Sequence, residues 1–470
     1  MSESNGLFRI AVVGHTNAGK TSLMRTLARD TNFGEVSPSP ATTREVTSIA
    51  LLADNKPVAD FRDTPGLEDS IGLLEFIDGL RTDRRDDGPS LVERFLGTAE
   101  ASDLYAHEAK ALRQARTADL VLYVVDARDR VLPRYQDELE LLARCGRPVL
   151  PVMNFVADDA ARTEEWRDAL ARLGLHAAVN FDTIVYDAED EKKLFEAMRV
   201  LAEPHRDAID ALITDRAKRR KRSIERATKA IAELLVDAAS YVEVVAPPES
   251  EDDDAGKRLA VSEAESALQR ALREHERMAH CAIFAAFEFA DEDADAVLLE
   301  CTEGRLGVDL FSQEAMRQSG IGAATGAAGG AATGAILDLA VGGMSLGAAA
   351  AIGAVVGGFL GTTAAQGRRL VRRVRGGDEL RAGDTTLRLL LARSVDLATA
   401  LLNRGHAATS RVDLRDRVLS DDFVKSVLSA LRRARSNPSW SGIGRTPTES
   451  SGRRGLMKKV AALVLAKIEA

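Results

Sequence analysis

Gly14-His15-Thr16-Asn17-Ala18-Gly19-Lys20-Thr21 reads G-x-x-x-x-G-K-[ST], the spacing of a phosphate-binding loop. The flanks suit it. Leu7–Val13 is a short apolar run fit for a buried strand. Ser22–Arg29 follows with Leu23, Met24 and Leu27 at helical spacing. In a strand–loop–helix unit the glycines let backbone N–H groups approach phosphate oxygens, and the helix N-terminus adds partial positive charge. Lys20 can then reach the β- and γ-phosphates, and the Thr21 hydroxyl can ligate Mg²⁺. Residues Gly14 through Ser22 are therefore the expected nucleotide contacts.

Downstream residues extend the unit. Gly34–Arg44 is rich in Pro, Ser and Thr, the expected place of a first switch loop. Thr43, with Thr42 as second choice, is the expected threonine that closes over Mg²⁺ and the γ-phosphate. Glu45–Ala53 and Val58–Arg62 read as strands. The second delivers Asp63-Thr64-Pro65-Gly66, where Asp63 can hold the Mg²⁺ shell through water and the Gly66 N–H can sense the γ-phosphate. Ala118–Asp126 and Arg147–Asn154 are further buried-strand patterns, with helical Gln136–Arg144 between them. The alternation predicts a doubly wound α/β domain with a mostly parallel sheet, its ligand at the carboxyl ends of the strands.

With these residues in view, 7 to about 190 resembles the TrmE-Era-EngA group of bacterial P-loop GTPases. The resemblance rests on GHTNAGKTSL at 14–23, TTRE at 42–45, DTPGLED at 63–69 and VVDARD at 124–129. It implies a G domain that binds GTP and GDP with Mg²⁺, with Lys20, Thr43 and Gly66 acting in hydrolysis. It also implies that Asn17 can help bind an assisting K⁺. Three departures bear on this. Leu67 follows Gly66 where Ras-like proteins carry a water-orienting Gln, so turnover is expected to be slow and to need a cation, Glu68 or Asp69, or a partner. The guanine-reading pattern N-K-x-D is altered. Asn154 fits, Phe155 stands for the Lys, Ala157 takes the acid's place, and Asp158 or Asp159 could serve by a one-residue slip. The S-A-K motif has its nearest counterpart in Ala178–Thr183.

Between Gly66 and Ala118 the chain is longer than the group usually is. Arg81–Pro89 reads as an exposed polar insertion after the second switch, able to report nucleotide state or to be a passive loop. His107 and Glu108, in helical-looking Asp103–Arg116, do not complete H-E-x-x-H, because Ala111 stands at the second His position.

The 470 residues suffice for two or three domains. Three cysteines, Cys145, Cys281 and Cys301, are too few and scattered for a disulfide framework or a zinc site and fit a reducing compartment. The N-terminus lacks the basic region of a signal peptide. The net charge of −9 divides unevenly: residues 366–470 carry 22 Lys/Arg and 10 Asp/Glu, +12, leaving 41 and 62, −21, for residues 1–365. A basic C-terminal part suits a membrane surface or another polyanion, or solvated helix faces.

Glu191–Val236 reads as helix, with the basic run Lys218–Arg222 inside it. Residues 247–254 form an acidic, proline-initiated linker, and Val261–Phe289 resumes the helical pattern. His275, His280 and Cys281 are too loosely placed for a convincing metal site. From Ser319 to Gln366 the one charged residue is Asp338, and glycines recur every fourth residue at 322–334, 343–347 and 353–361. Such glycines make a flat helix face for close helix approach, at a cost of about 1 kcal/mol each against Ala in a free helix. Two near-span-length halves around Asp338, followed by Arg368, Arg369, Arg372, Arg373 and Arg375, predict a hairpin that associates with membrane lipid through 320–375, or packs with itself or a protein partner. Leu387–Leu402, Asp421–Arg435 and Leu456–Ile468 read as amphipathic helices and Ser436–Gly455 as a flexible linker.

The expected organisation is a G domain at 1–190, a helical domain at 191–319, a glycine-zipper hairpin at 320–365, a basic helical region at 366–435, a linker at 436–455 and a C-terminal amphipathic helix at 456–470. The whole arrangement resembles a bacterial family whose C-terminal half is known as a domain of unknown function. The expected function is a GTPase switch, cytoplasmic and at the inner face of the cell membrane. Its alternatives are a membrane-inserting or scaffolding protein whose nucleotide controls assembly without turnover, and a P-loop ATPase. No specific nucleic acid is predicted.

Overall fold

A computed structural model describes residues 7–29, 47–247, 254–289, 310–311, 379–404 and 419–469. Thr42 and Thr43, expected in a first switch, Cys301, the glycine-rich segment 320–365 and the arginines at 368–375 lie outside the described residues. The chain divides into two compact units, Met1–Arg220 with Asn403–Ser410, and Lys221–Leu402 with Arg411–Ala470.

The first unit is built on six strands: β1 (Phe8–Gly14), β2 (Thr47–Ala53), β3 (Lys56–Asp63), β4 (Leu120–Asp126), β5 (Val149–Asn154) and β6 (Val179–Asn180). Their order is β2-β3-β1-β4-β5-β6, with only the β2–β3 hairpin antiparallel. The near-continuous apolar runs of β1 and β4 follow from burial on both faces. Alternate residues split between two cores. Phe8, Ile10, Val12, Leu120, Leu122 and Val124 face one side, and Ala11, Val13, Val121, Tyr123 and Val125 the other. The first side is covered by α1 (Lys20–Ala28), α7 (Ala188–Leu201) and the start of α8 (Arg206–Ser240). The second is covered by α2 (Ser70–Gly79), α3 (Gly88–Leu96), α4 (Ala106–Thr117), α5 (Pro133–Ala143) and α6 (Thr163–Arg172). This is the doubly wound α/β domain expected.

The helix expected over Glu191–Val236 is two helices. A short 3₁₀ turn at Glu203–His205 separates α7 from α8, because Pro204 can open a helix but not continue one. The basic run on α8 is partly neutralised within its own unit. Lys218 lies 3.7 Å from Asp54, and Arg219 pairs with Asp215 at 2.6 Å. The insertion after α2 is an ordered turn. Asp86 accepts from the N–H groups of Thr82 and Asp83 and pairs with Arg94, and these donors hold its carboxyl well below the usual range. Asp87 then caps α3 through Ser90 N–H.

The second unit is helical: the latter part of α8, then α9 (Asp254–Ala286), α10 (Asp384–Leu402), α11 (Asp421–Arg435) and α12 (Ser451–Ile468), with a two-stranded ribbon β7 (Glu243–Val244) and β8 (Glu379–Leu380). Leu235, Leu272, Ile283, Leu390, Val427 and Val460 meet in one core. His275 and His280 go to different partners. His275 sits 3.3 Å from Asp237. His280 lies 3.5 Å from the Ser394 hydroxyl, beside the Glu276–Arg393 pair, and burial with nearby Arg393 pushes it down to about 3. Residues 436–455 take a packed course: Trp440 and Ser441 are buried, and Arg453 is 2% exposed inside α12. Among the described residues no helix is long and apolar enough to cross a membrane.

Arg453 anchors that packing. Its guanidinium donates to Asp237 Oδ1 at 2.9 Å and to the Trp440 carbonyl at 2.9 Å. Removing one partner of a buried ion pair strands the other charge. Arg453→Ala is therefore expected to lower the stability of the helical unit by about 3–5 kcal/mol, read as a lower urea midpoint by far-UV circular dichroism.

Candidate functional site

The site lies at the carboxyl ends of the parallel strands, where β1 turns into α1. The turn needs its glycines. A Cβ on Gly14 (φ 155) would sit 2.3 Å from the Val124 carbonyl oxygen, and one on Gly19 (φ 90) 2.2 Å from Asn154 Nδ2. Asn17, between them, adopts φ 66, a conformation that Asn tolerates better than most residues. The result is a loop of backbone N–H groups ahead of a helix N-terminus, an anion cradle.

Lys20 is 7% exposed. Its ammonium donates to the carbonyl oxygens of Gly14 at 3.0 Å and His15 at 2.9 Å. Burial lowers its pKa, while Asp63, Glu138 and Glu68 pull the other way. The Thr21 hydroxyl donates to Asp63 Oδ2 at 2.5 Å, and Asp63 is buried. These two oxygen donors suit a hard cation such as Mg²⁺. Thr64 fixes the strand end by donating to the Val12 carbonyl at 2.8 Å. Gly66 lies so close to the loop that a Cβ there would be 2.7 Å from Thr16 Oγ1, a buried hydroxyl with no hydrogen-bond partner among the described residues. Ala18 is buried, and Ser22 stands partly exposed in the first turn of α1. Residues 14–22, Asp63 and Gly66 are thus in one place.

Asn154, fully buried, joins the loops. Its Nδ2 donates to the Ala18 carbonyl at 3.0 Å, and its Oδ1 accepts from the N–H groups of Phe155 at 2.9 Å and Thr183 at 3.0 Å. Asp158 stands at the rim, exposed. It accepts from Ala160 N–H at 2.9 Å, with its second oxygen 3.9 Å from Arg128. Asp182, in the segment nearest S-A-K, accepts from the N–H groups of Ala157, Ile184 and Val185.

Three contributors escape sequence reading. Glu138 is 0% exposed on α5; it accepts from the Tyr123 hydroxyl at 2.7 Å and faces His15 Nδ1 at 3.0 Å. Its signal was an acid on the apolar face of a helix. Glu108, unremarkable once H-E-x-x-H fails, accepts from the N–H groups of Glu68 and Asp69 and so holds the turn after Gly66. The Arg128 guanidinium carbon lies over the Phe155 ring, 4.0 Å from its centre. Leu67 is fully buried and Asp69 caps α2 through Gly72 N–H, whereas Glu68 is exposed.

Residues 9–155 match the family model described as 50S ribosome-binding GTPase, and residues 167–462 match the one described as Domain of unknown function (DUF3482). The chain belongs to the second family, and its first unit is a P-loop GTPase domain of the TrmE-Era-EngA type. Over 147 residues it is 35% identical to the tRNA modification GTPase MnmE of Chelativorans sp., covering 31% of this chain and 24% of that protein. Over 160 residues it is 26% identical to GTPase Der of Nitratiruptor sp., covering 34% and 27%. The chain thus spans about a quarter of the length of these curated relatives. Among solved structures, Era in complex with MgGDPNP and nucleotides 1506–1542 of 16S ribosomal RNA overlays with a TM-score of 0.31 at 18% identity, covering 41% of this chain and 56% of that one.

Asn154→Ala is expected to leave the Ala18 carbonyl and the Thr183 N–H unmatched. A cost of about 1–3 kcal/mol for each buried group follows, together with weaker nucleotide binding. Chemical denaturation and nucleotide titration of the purified variant check this.

Proposed function

We propose that the first unit binds GTP and hydrolyses it slowly to GDP and phosphate, and that its nucleotide state controls the helical second unit. The observation that carries this is the meeting of Lys20 and Thr21, at the start of α1, with Asp63 at the end of β3, and Asn154 tying the 14–19 loop to the segments after β5 and β6. Incoming phosphate oxygens would replace the Gly14 and His15 carbonyls as partners of Lys20. The backbone N–H groups of 14–21 would hold the β-phosphate. Thr21, Asp63 and Thr43 would hold Mg²⁺, which neutralises phosphate charge when bound. Gly66, close to Thr16, would respond to the γ-phosphate, and Glu108 would pass that response to α4.

Slow turnover is the corollary of buried Leu67 and of Asp69 being engaged as a helix cap. Glu68, exposed and near enough to act on Lys20, is the remaining acidic side chain of that segment. K⁺ at Asn17 is a further means of stimulation. We assign the glycine-rich 320–365 and the arginines after it the role of membrane or partner contact, which would put the protein at the inner face of the cell membrane. Asp158 is the proposed acid for the guanine edge. Buried Leu67 also favours a second reading, in which nucleotide governs assembly without turnover. Phe155 and Ala157 favour a third, an ATPase.

Equilibrium binding of labelled GTP and ATP with Mg²⁺ separates these. GTP is expected to bind at least 10-fold tighter than ATP, and Lys20→Ala to lose about 10-fold or more in affinity through loss of a charged hydrogen-bond donor. Turnover is expected at about 10⁻² s⁻¹ or slower, rising with K⁺ or anionic vesicles. Equal affinity for ATP would contradict guanine selectivity, and nucleotide-dependent oligomers without phosphate release would favour the assembly reading.

A further inference from the structure

Glu138 puts a buried carboxylate beside a loop built to receive anions. Its side chain on α5 is fully buried, yet near enough to the phosphate loop to act on Lys20. A carboxylate there costs desolvation energy and repels an incoming polyanion, unless its own partners offset both. Those partners are specific. Oε2 accepts from the Tyr123 hydroxyl at 2.7 Å, and Oε1 lies 3.0 Å from His15 Nδ1. With one oxygen taken by the phenol, the other is the acceptor for an Nδ1–H of His15. The His15 ring is also met edge-on by Tyr135, with ring centres 5.6 Å apart and planes at 89°. Tyr135 and Glu138 stand one turn apart on α5 and so share a face. The Tyr135 hydroxyl is itself held, donating to Asp129 at 2.9 Å.

We propose that Glu138 is a positioning residue of the nucleotide site, acting through His15 to set the shape of the phosphate loop. The inference rests on the reading of that loop, 14–22, as a nucleoside triphosphate site. His15 is the link because its side chain meets Glu138 while its backbone closes the loop. The His15 carbonyl accepts from Ala18 N–H at 3.3 Å and from the Lys20 ammonium at 2.9 Å. One peptide thus turns the chain and seats the lysine. Asn154 holds the Ala18 end of the same turn, and Glu138 holds the His15 end. A loop tied at both ends has its N–H groups ordered before phosphate arrives, so binding need not supply that ordering. An acid suits the task, because a hydrogen bond to an ionised acceptor is roughly twice as strong as a neutral one. The Nδ1–H, the Tyr123 hydroxyl and nearby Lys20 offset its adverse charge. Glu138, fully buried, would not meet phosphate itself.

The test uses the full chain and two probes, GTP and inorganic tripolyphosphate, each titrated at equilibrium with Mg²⁺. Glu138→Gln keeps the shape and removes the charge. It is expected to weaken both probes alike, by about 2- to 30-fold, the range for altering a coupled network without touching the ligand. His15→Ala is expected to weaken them by a similar factor. In the His15→Ala background, Glu138→Gln is expected to add less than about twofold, because its effect passes through the ring already removed. Losses that multiply in the double variant overturn the assignment. So does undiminished GTP affinity in either single variant, which with a lowered urea midpoint marks Glu138 as an acid of the fold alone. A loss for GTP with tripolyphosphate unchanged also overturns it, since the loop would then be intact. If Glu138→Gln does not fold, Tyr123→Phe, which takes the donor from Oε2, replaces it in the same cycle with the same outcomes. Failure of the unaltered protein to bind any nucleoside triphosphate would instead remove the underlying reading.

Discussion

The first unit depends on one buried amide. Asn154 has a single carbonyl oxygen and a single NH₂ group, and three backbone groups from different segments converge on it. A buried polar side chain must be matched or its desolvation goes uncompensated. That requirement fixes the distance between the phosphate loop, the end of β5 and the segment after β6. It also explains why Gly19 admits no side chain: a Cβ would collide with the same Nδ2. The loop's shape therefore comes from its own glycines and equally from a residue more than a hundred positions downstream.

Around that amide the polar groups form two chains on either side of the phosphate loop. One runs from Thr21 through Asp63 to the turn after Gly66, where Glu108 receives two N–H groups. The other runs from His15 to Glu138 and Tyr123, inside the core that α5 covers. Burial in low dielectric makes each link costly to break. A change at the phosphate loop accordingly has two covered routes into the helices on that face of the sheet.

The phosphate half of the site was legible because its chemistry is local: glycines, Lys20 and Thr21 within eight residues, and Asp63 at a strand end. The sheet was legible because strands buried on both faces read as unbroken apolar runs. The helix boundary at Pro204 was missed because α7 and α8 share one amphipathic pattern across it. Glu138, Glu108 and Arg128 were not legible as site residues, since Glu138 meets His15, Glu108 the turn after Gly66 and Arg128 the Phe155 ring through tertiary packing that leaves no local spacing. The course of 436–455 was hidden for a related reason. Small and polar residues there resemble a linker, but Ser441 and Arg453 are tied to Asp237 on α8 by contacts over two hundred residues apart in sequence, and the Trp440 carbonyl accepts from Arg453.

Lys20 is the sharpest point of test, because its present partners are the carbonyls that phosphate would displace. A crystal structure of the full chain with Mg²⁺ and a non-hydrolysable GTP analogue measures this directly. The expected result is Lys20 Nζ on β- and γ-phosphate oxygens, the Thr21 hydroxyl turned from Asp63 to the cation, and Asn154 unmoved. An analogue bound elsewhere, with Lys20 still donating to Gly14 and His15, would contradict the assignment of this loop as the nucleotide site.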